Sequence, residues 1–259
     1  MSLRTEKMWP VVVAIVFLVA FVPGVCSAEP VVRIAVASNF SQTMKALSQD
    51  FKNKHDIDLL LSQASTGKIY AQILHGAPYD AFFSADEKRA DLLLEKKLAH
   101  SGYVYAQGQL VFITGNQNKA GCYSSLDSMV KQYAARKISI ANPKTAPYGL
   151  AAKQTLQAMG QWNKIKQNLV MGENVLQAMQ FISSGGVGAG FVAESLIVNI
   201  KNSNNYCQWS VPLSLYHPVK QKMVVLNKAK NKLAVDAFVN YIKTDAAKNI
   251  IRKNGYLVK

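Results

Sequence analysis

The sequence predicts an α/β protein built as two lobes, and three observations carry that reading. Short apolar runs alternate with amphipathic stretches from Val31 to about Lys97, and a second such series begins at Gln109. No long Gly/Ser- or Pro-rich linker separates the two series. Strand–helix repetition of this kind builds a parallel sheet covered by helices on both faces. The unbroken passage between the series implies two lobes joined by crossing strands, near residues 107–113 and 213–224.

Val31–Val36 is apolar apart from Arg33 and reads as a buried parallel strand. Ser38-Asn39-Phe40-Ser41 then opens a helix running to about Lys54, with Met44, Leu47 and Phe51 on one face. Asp58–Ser62 is a second strand. Ser65-Thr66 caps the next helix, whose apolar positions are Ile69, Ile73 and Leu74. Ala81–Ser84 is a third strand and Glu87–Lys97 a third helix. Gln109–Ile113, bounded by Gly115, starts the second series, with short strands at Lys137–Ala141 and Gly188–Val192 and helices between them. Lys222–Leu226 is a late strand, followed by one long amphipathic helix from Leu233 to about Asn254. There is no internal repeat and no low-complexity segment.

The N-terminus reads differently. Arg4 and Lys7 precede an uncharged apolar run from Met8 to Val22, which Pro23-Gly24 breaks. Cys26-Ser27-Ala28 then places small residues where a signal peptidase reads, so residues 1–28 are expected to be a cleaved secretory signal. The rivals are an uncleaved anchor, which needs roughly 20 apolar residues, and lipid attachment at Cys26. Bulky Val25 disfavours the latter, since that motif wants a small residue there. Cleavage leaves Cys122 and Cys207, and two cysteines in an exported chain predict one disulfide. Two buried free thiols are the alternative.

The formal net charge is +15, and losing Arg4, Glu6 and Lys7 would lower it by one. The lysines are spread along the chain, and no zinc-finger, RNP or helix-turn-helix pattern accompanies them. A solvated basic surface is the expectation rather than a nucleic-acid partner, and such a field raises the encounter rate of small anions.

Four fragments carry the functional reading: Val36-Ala37-Ser38-Asn39-Phe40, Gln63-Ala64-Ser65-Thr66-Gly67-Lys68, Gly76–Asp86 and Asn142–Leu150. Ser38-Asn39 and Ser65-Thr66 follow strands, Tyr148-Gly149 lies in the loop before a helix Leu150–Met159, and Asn174-Val175 begins the helix Leu176–Ser183. Ligands of open α/β sheets sit beyond the carboxyl ends of strands, and turns that run into helices aim free N–H groups at one point. Any one such turn is ordinarily a helix cap. Four of them, two per lobe, are harder to explain by capping alone.

In this order the fragments resemble the periplasmic molybdate-binding proteins of ABC importers, from about Val31 to the C-terminus. The resemblance implies a two-lobed periplasmic-binding-protein fold of type II, each lobe a sheet flanked by helices, with the ligand in the interlobe cleft. Residues 29–109 and 214–259 would form lobe I and residues 110–213 lobe II. It places Ser38, Asn39, Thr66 with adjacent Ser65, Tyr148 and Val175 around the oxyanion. Tyr148 and Val175 would act through backbone N–H groups. These residues would reach molybdenum only through molybdate oxygens, and no resident cofactor is implied. Some members add a tyrosine hydroxyl from the segment aligned with Phe191–Glu194, where this chain has Ala193. The Asn39 form of the first turn resembles the branch lacking that tyrosine. The implied partners are molybdate or tungstate and an inner-membrane ABC permease, for a soluble periplasmic monomer.

Molybdate, tungstate and sulfate are full dianions near neutral pH, whereas phosphate largely keeps a proton and benefits from a carboxylate acceptor. The turns at Ser38, Thr66 and Tyr148 contain no Asp or Glu; Glu173 lies near Val175 but, in a helix-start turn, could as easily face water as the ligand. Lys68 and Lys144 are read as solvated, because a buried cation would itself cost desolvation. Alternative readings are the same fold binding sulfate or another tetrahedral oxyanion, an exported enzyme, or a basic interaction protein. For an enzyme, His55, His75, His100 and His217 are dispersed without metal-ligand spacing, and no Gly-x-Ser-x-Gly elbow occurs. Ser183–Gly186 reads as a helix-ending turn, and Ala64–Lys68 only echoes a phosphate loop.

Overall fold

The computed structural model describes residues 31–115, 125–133, 136–198, 200 and 206–258. The expected signal segment 1–28 and Cys122 lie outside the described residues. In chain order the elements of the first half are β1 (Val31–Ala37), a 3-10 turn (Ser38–Phe40), α1 (Ser41–His55), β2 (Asp58–Ala64), α2 (Thr66–Leu74), β3 (Ala81–Ser84), α3 (Glu87–Glu95) and β4 (Ala99–Gly108). Then follow β5 (Leu110–Gly115), α4 (Leu126–Tyr133), β6 (Ile138–Ala141), α5 (Pro147–Ala158), α6 (Trp162–Ile165), β7 (Leu169–Gly172), α7 (Val175–Ser183), β8 (Ala189–Ala193) and β9 (Tyr206–Ser210). The chain closes with β10 (Val219–Leu226), α8 (Lys232–Ile242) and α9 (Asp245–Lys253).

Among the described residues two five-stranded sheets organise the fold, ordered β2-β1-β3-β10-β4 and β7-β6-β8-β5-β9. Each is mixed rather than wholly parallel. β1 runs parallel to β2 and β3, but β10 returns from the second sheet and enters the first antiparallel to β3 and β4. In the second sheet β6 is parallel to β7 and β8, while β5 is antiparallel to β8 and β9. The chain therefore crosses between lobes twice, from β4 to β5 and from β9 to β10.

Helix periodicity explains the packing. Met44, Leu47 and Phe51 of α1 join Phe238 and Ile251 of α8 and α9 over one face of the first sheet. Ile69 and Ile73 of α2 and Leu93 of α3 cover the other face. Leu74, expected inside, is exposed at the last turn of α2. The second core gathers Phe112, Ile140, Leu156, Met179 and Phe191.

Several elements differ from the sequence-based expectation. The long C-terminal helix is two, because Thr244 leaves helical geometry and its hydroxyl caps α9 at Ala247 N–H. Tyr148 lies within the first turn of α5, since Pro147, which lacks an N–H to lose, starts that helix. Edge strands β4, β7 and β9, each partly exposed, add pairing that periodicity did not show. Among the described residues no helix is long and apolar enough to cross a membrane.

Candidate functional site

Every segment of interest leaves the carboxyl end of a parallel strand. Ser38 and Asn39 follow β1, Ser65 and Thr66 follow β2, and Ala85 follows β3 in the first lobe. The segment after β6 leads to Ala146–Tyr148, and the segment after β7 to Val175, in the second. The structure brings them together: Ala37, Ser38, Asn39, Ser65, Thr66, Ala85, Ala146, Pro147, Tyr148 and Val175 line one small cavity between the lobes. All six residues expected at the site are on this wall. Ala37, Ala85, Ala146 and Pro147 are additions to that expectation, since nothing in an alanine or proline side chain signals a ligand.

The donors are arranged by helix starts. α2, α5 and α7 begin at Thr66, Pro147 and Val175, and the first N–H groups of a helix have no partner within it. Their partial positive ends face the cavity from both lobes. Because Pro147 occupies the first position of α5, Tyr148 supplies the first free N–H there. Asn174 caps α7 conventionally, accepting from Gln177 N–H at 3.0 Å. Ser65 occupies the corresponding position of α2 but makes no side-chain capping bond. Its hydroxyl remains disposable for another acceptor. Thr66 Oγ1 accepts from Ala85 N–H at 3.1 Å, which leaves its own proton to donate.

Two side chains are employed otherwise than their residue types suggest. Asn39 spends its amide protons inside the protein, on Gln221 Oε1 at 2.9 Å and Tyr256 Oη at 3.0 Å. What it can offer a ligand is backbone. Tyr148 points its hydroxyl away from the cavity to Gln221 Nε2, 3.2 Å away. Burial raises the Tyr148 and Tyr105 hydroxyls well above the ordinary tyrosine range, so both stay neutral.

Among the described residues the lining contains no carboxylate and no cation. Glu173 is exposed and faces Lys68 at 3.5 Å across the cleft rather than the cavity. Lys144 is also exposed; its carbonyl accepts from Arg89 Nη2 at 2.8 Å. That bond, the Lys68–Glu173 pair and a backbone bond from Gly67 to Thr145 all join one lobe to the other, so the cleft is closed. Cys207 is disulfide-bonded; its expected partner, Cys122, is not among the described residues.

Residues 32–257 match the family described as bacterial extracellular solute-binding protein. The chain is 37% identical over 235 residues to the molybdate-binding protein ModA of Azotobacter vinelandii, covering 89% of this chain and 92% of that one. It is 33% identical over 227 residues to ModA of Rhodobacter capsulatus, covering 87% of each. The solved periplasmic molybdate-binding protein of Azotobacter vinelandii superposes with a TM-score of 0.78 at 30% identity, over 88% of this chain and 99% of that one. The sulfate-binding protein SubI of Mycobacterium tuberculosis H37Rv superposes with a TM-score of 0.74 at 12% identity, over 89% of this chain and 87% of that one, which speaks for the fold alone.

Proposed function

The chain belongs to the bacterial extracellular solute-binding protein family, and on that premise we propose that it captures molybdate or tungstate in the interlobe cavity for an ABC importer. One observation carries the choice of ligand: the cavity wall joins hydroxyls and helix N-termini from both lobes and, among the described residues, holds no carboxylate. Such a wall is rich in donors and offers no charged acceptor. It suits a tetrahedral dianion and leaves the proton of hydrogen phosphate without a carboxylate to receive it, a weaker arrangement for a buried polar group. The ligand set is Ser38, Asn39, Ser65, Thr66, Tyr148 and Val175, with Asn39, Tyr148 and Val175 acting through backbone N–H groups. Lobe I is residues 29–109 with 214–259, and lobe II residues 110–213.

Neutral dipoles suffice for the charge, because oriented N–H groups in a closed cavity face little competing water. Binding needs no catalysis and no resident cofactor; molybdenum is cargo. The mature protein works in the periplasm, after cleavage of the signal segment, as a monomer that presents the closed, loaded form to a membrane permease. Support for export comes from the solved molybdate-binding relative, which is described as periplasmic. Equilibrium dialysis of the mature protein against molybdate should show one bound anion per chain, displaced by tungstate and not by phosphate. Retention of phosphate in place of molybdate would contradict the reading.

A further inference from the structure

Gln221 is wholly buried on β10, at the crossover between the lobes. Its neighbourhood is irregular. Gln221 pairs with Ala106 but Lys222 with Val104, so Tyr105 is an extra residue on β4 and the register shifts there. A bulge of this kind re-aims side chains, and bulges are common beside functional sites. Here Tyr105 and Ala106, adjacent in sequence, are both buried. The re-aimed Tyr105 hydroxyl donates to Gln221 Oε1 at 3.0 Å.

The Gln221 amide has two further partners, one from each half of the site. Its Oε1 accepts from Asn39 Nδ2 at 2.9 Å, and its Nε2 donates to Tyr148 Oη at 3.2 Å. Asn39 belongs to the turn after β1, and Tyr148 to the first turn of α5. One planar amide thus links two of the turns that line the cavity, one from each lobe. The first turn is held from behind as well, where Tyr256 Oη and Ser195 Oγ both donate to the Asn39 carbonyl, at 2.7 and 3.1 Å. Gly108 makes room for the brace: a Cβ there would lie 1.8 Å from Tyr148 Oη and 2.8 Å from Gln221 Nε2.

We propose that Gln221 is a specificity-determining positioning residue, a brace that fixes the separation of the two half-sites and so selects the size of the bound oxyanion. The proposal rests on the oxyanion-binding reading above. Held apart by a rigid amide, the lobes cannot close further onto a smaller tetrahedral anion. Sulfate then reaches donors of one lobe well and those of the other poorly, whereas molybdate spans both. Without the brace the cleft adjusts to either anion.

The test is calorimetric titration of molybdate and sulfate into the native protein and into Tyr148→Phe, Gln221→Met and the double variant. Tyr148→Phe keeps the ring and the backbone N–H and should fold normally even if Gln221→Met is damaged. Each variant should narrow the molybdate-to-sulfate affinity ratio about tenfold, the scale of one buried hydrogen bond to a well-placed partner. The double variant should narrow it no further, because both changes break the same link. If the native protein prefers molybdate and Tyr148→Phe keeps the native ratio, the brace is wrong although the function stands. If the native protein binds neither anion, the functional reading itself fails and the brace falls with it.

Discussion

The backbone N–H of Gly67 donates to the carbonyl of Thr145 at 2.8 Å, fastening the first turn of α2 in one lobe to the segment before α5 in the other. A Cβ on Gly67 would stand 2.9 Å from Thr145 Cα and 3.0 Å from its carbonyl oxygen. Backbone occupies that space, so the lobes would have to part. Gly67→Ala should therefore weaken binding by about 1–3 kcal/mol, the usual cost of overpacking, while leaving each lobe folded. Calorimetry with molybdate checks this, and undiminished affinity would show that closure does not depend on the contact.

Thr66→Ala should weaken oxyanion binding by roughly 1.5–3 kcal/mol, the range for hydrogen bonds to charged groups. Ser38→Ala should behave similarly. Lys144→Ala should change affinity little, since the Lys144 side chain is not part of the cavity wall. Loss of binding in Lys144→Ala, with Thr66→Ala unaffected, would point to a cationic site instead of a dipolar one.

The sequence showed much of this site because turn chemistry is local. Ser38 and Ser65-Thr66 each sit between an apolar strand and an amphipathic helix, and Asn174-Val175 opens an amphipathic helix; such patterns can be read within a dozen residues. What stayed hidden depends on partners far along the chain. Asn39 looked like a ligand side chain, yet it is engaged by Gln221 and Tyr256, and no local pattern links those three positions. The same holds for the Tyr148 hydroxyl and for Gly108. Strands β7 and β9 escaped because short, half-exposed edge strands carry little hydrophobic periodicity. The split between α8 and α9 was legible in Thr244-Asp245, a good helix start, but the amphipathic pattern continues across it.

A pH dependence follows from Glu194, which accepts a hydrogen bond from Gln109 Nε2 beside the β4–β5 crossover. Burial raises its carboxyl above the ordinary glutamate range. The folded protein then keeps a proton at pH values where the unfolded chain has lost it. Stability must decline as pH rises from the unfolded to the folded pKa, and this group adds no slope below the unfolded value. Glu194→Gln should melt higher than the native protein near neutral pH, and the two should converge in acid. Parallel melting profiles across that range would contradict the assignment.

Cys207 is disulfide-bonded, and pairing with Cys122 would close a loop of roughly 85 residues, worth up to about 4–5 kcal/mol in the chain-entropy model. Thiol titration of the unfolded, unreduced mature protein should find no free thiol, and reduction should lower the melting temperature. Two titratable thiols before reduction would exclude the pairing.

The central claim is that a wall of donors from both lobes selects a fully deprotonated tetrahedral dianion. A thermal-shift series near neutral pH with molybdate, tungstate, sulfate and phosphate at equal concentration tests it most directly, because a ligand that binds only the native state raises the melting temperature. Molybdate and tungstate should stabilise clearly, sulfate less or not at all, and phosphate almost not at all. Stabilisation by phosphate with none by molybdate would contradict both the functional reading and the donor argument beneath it.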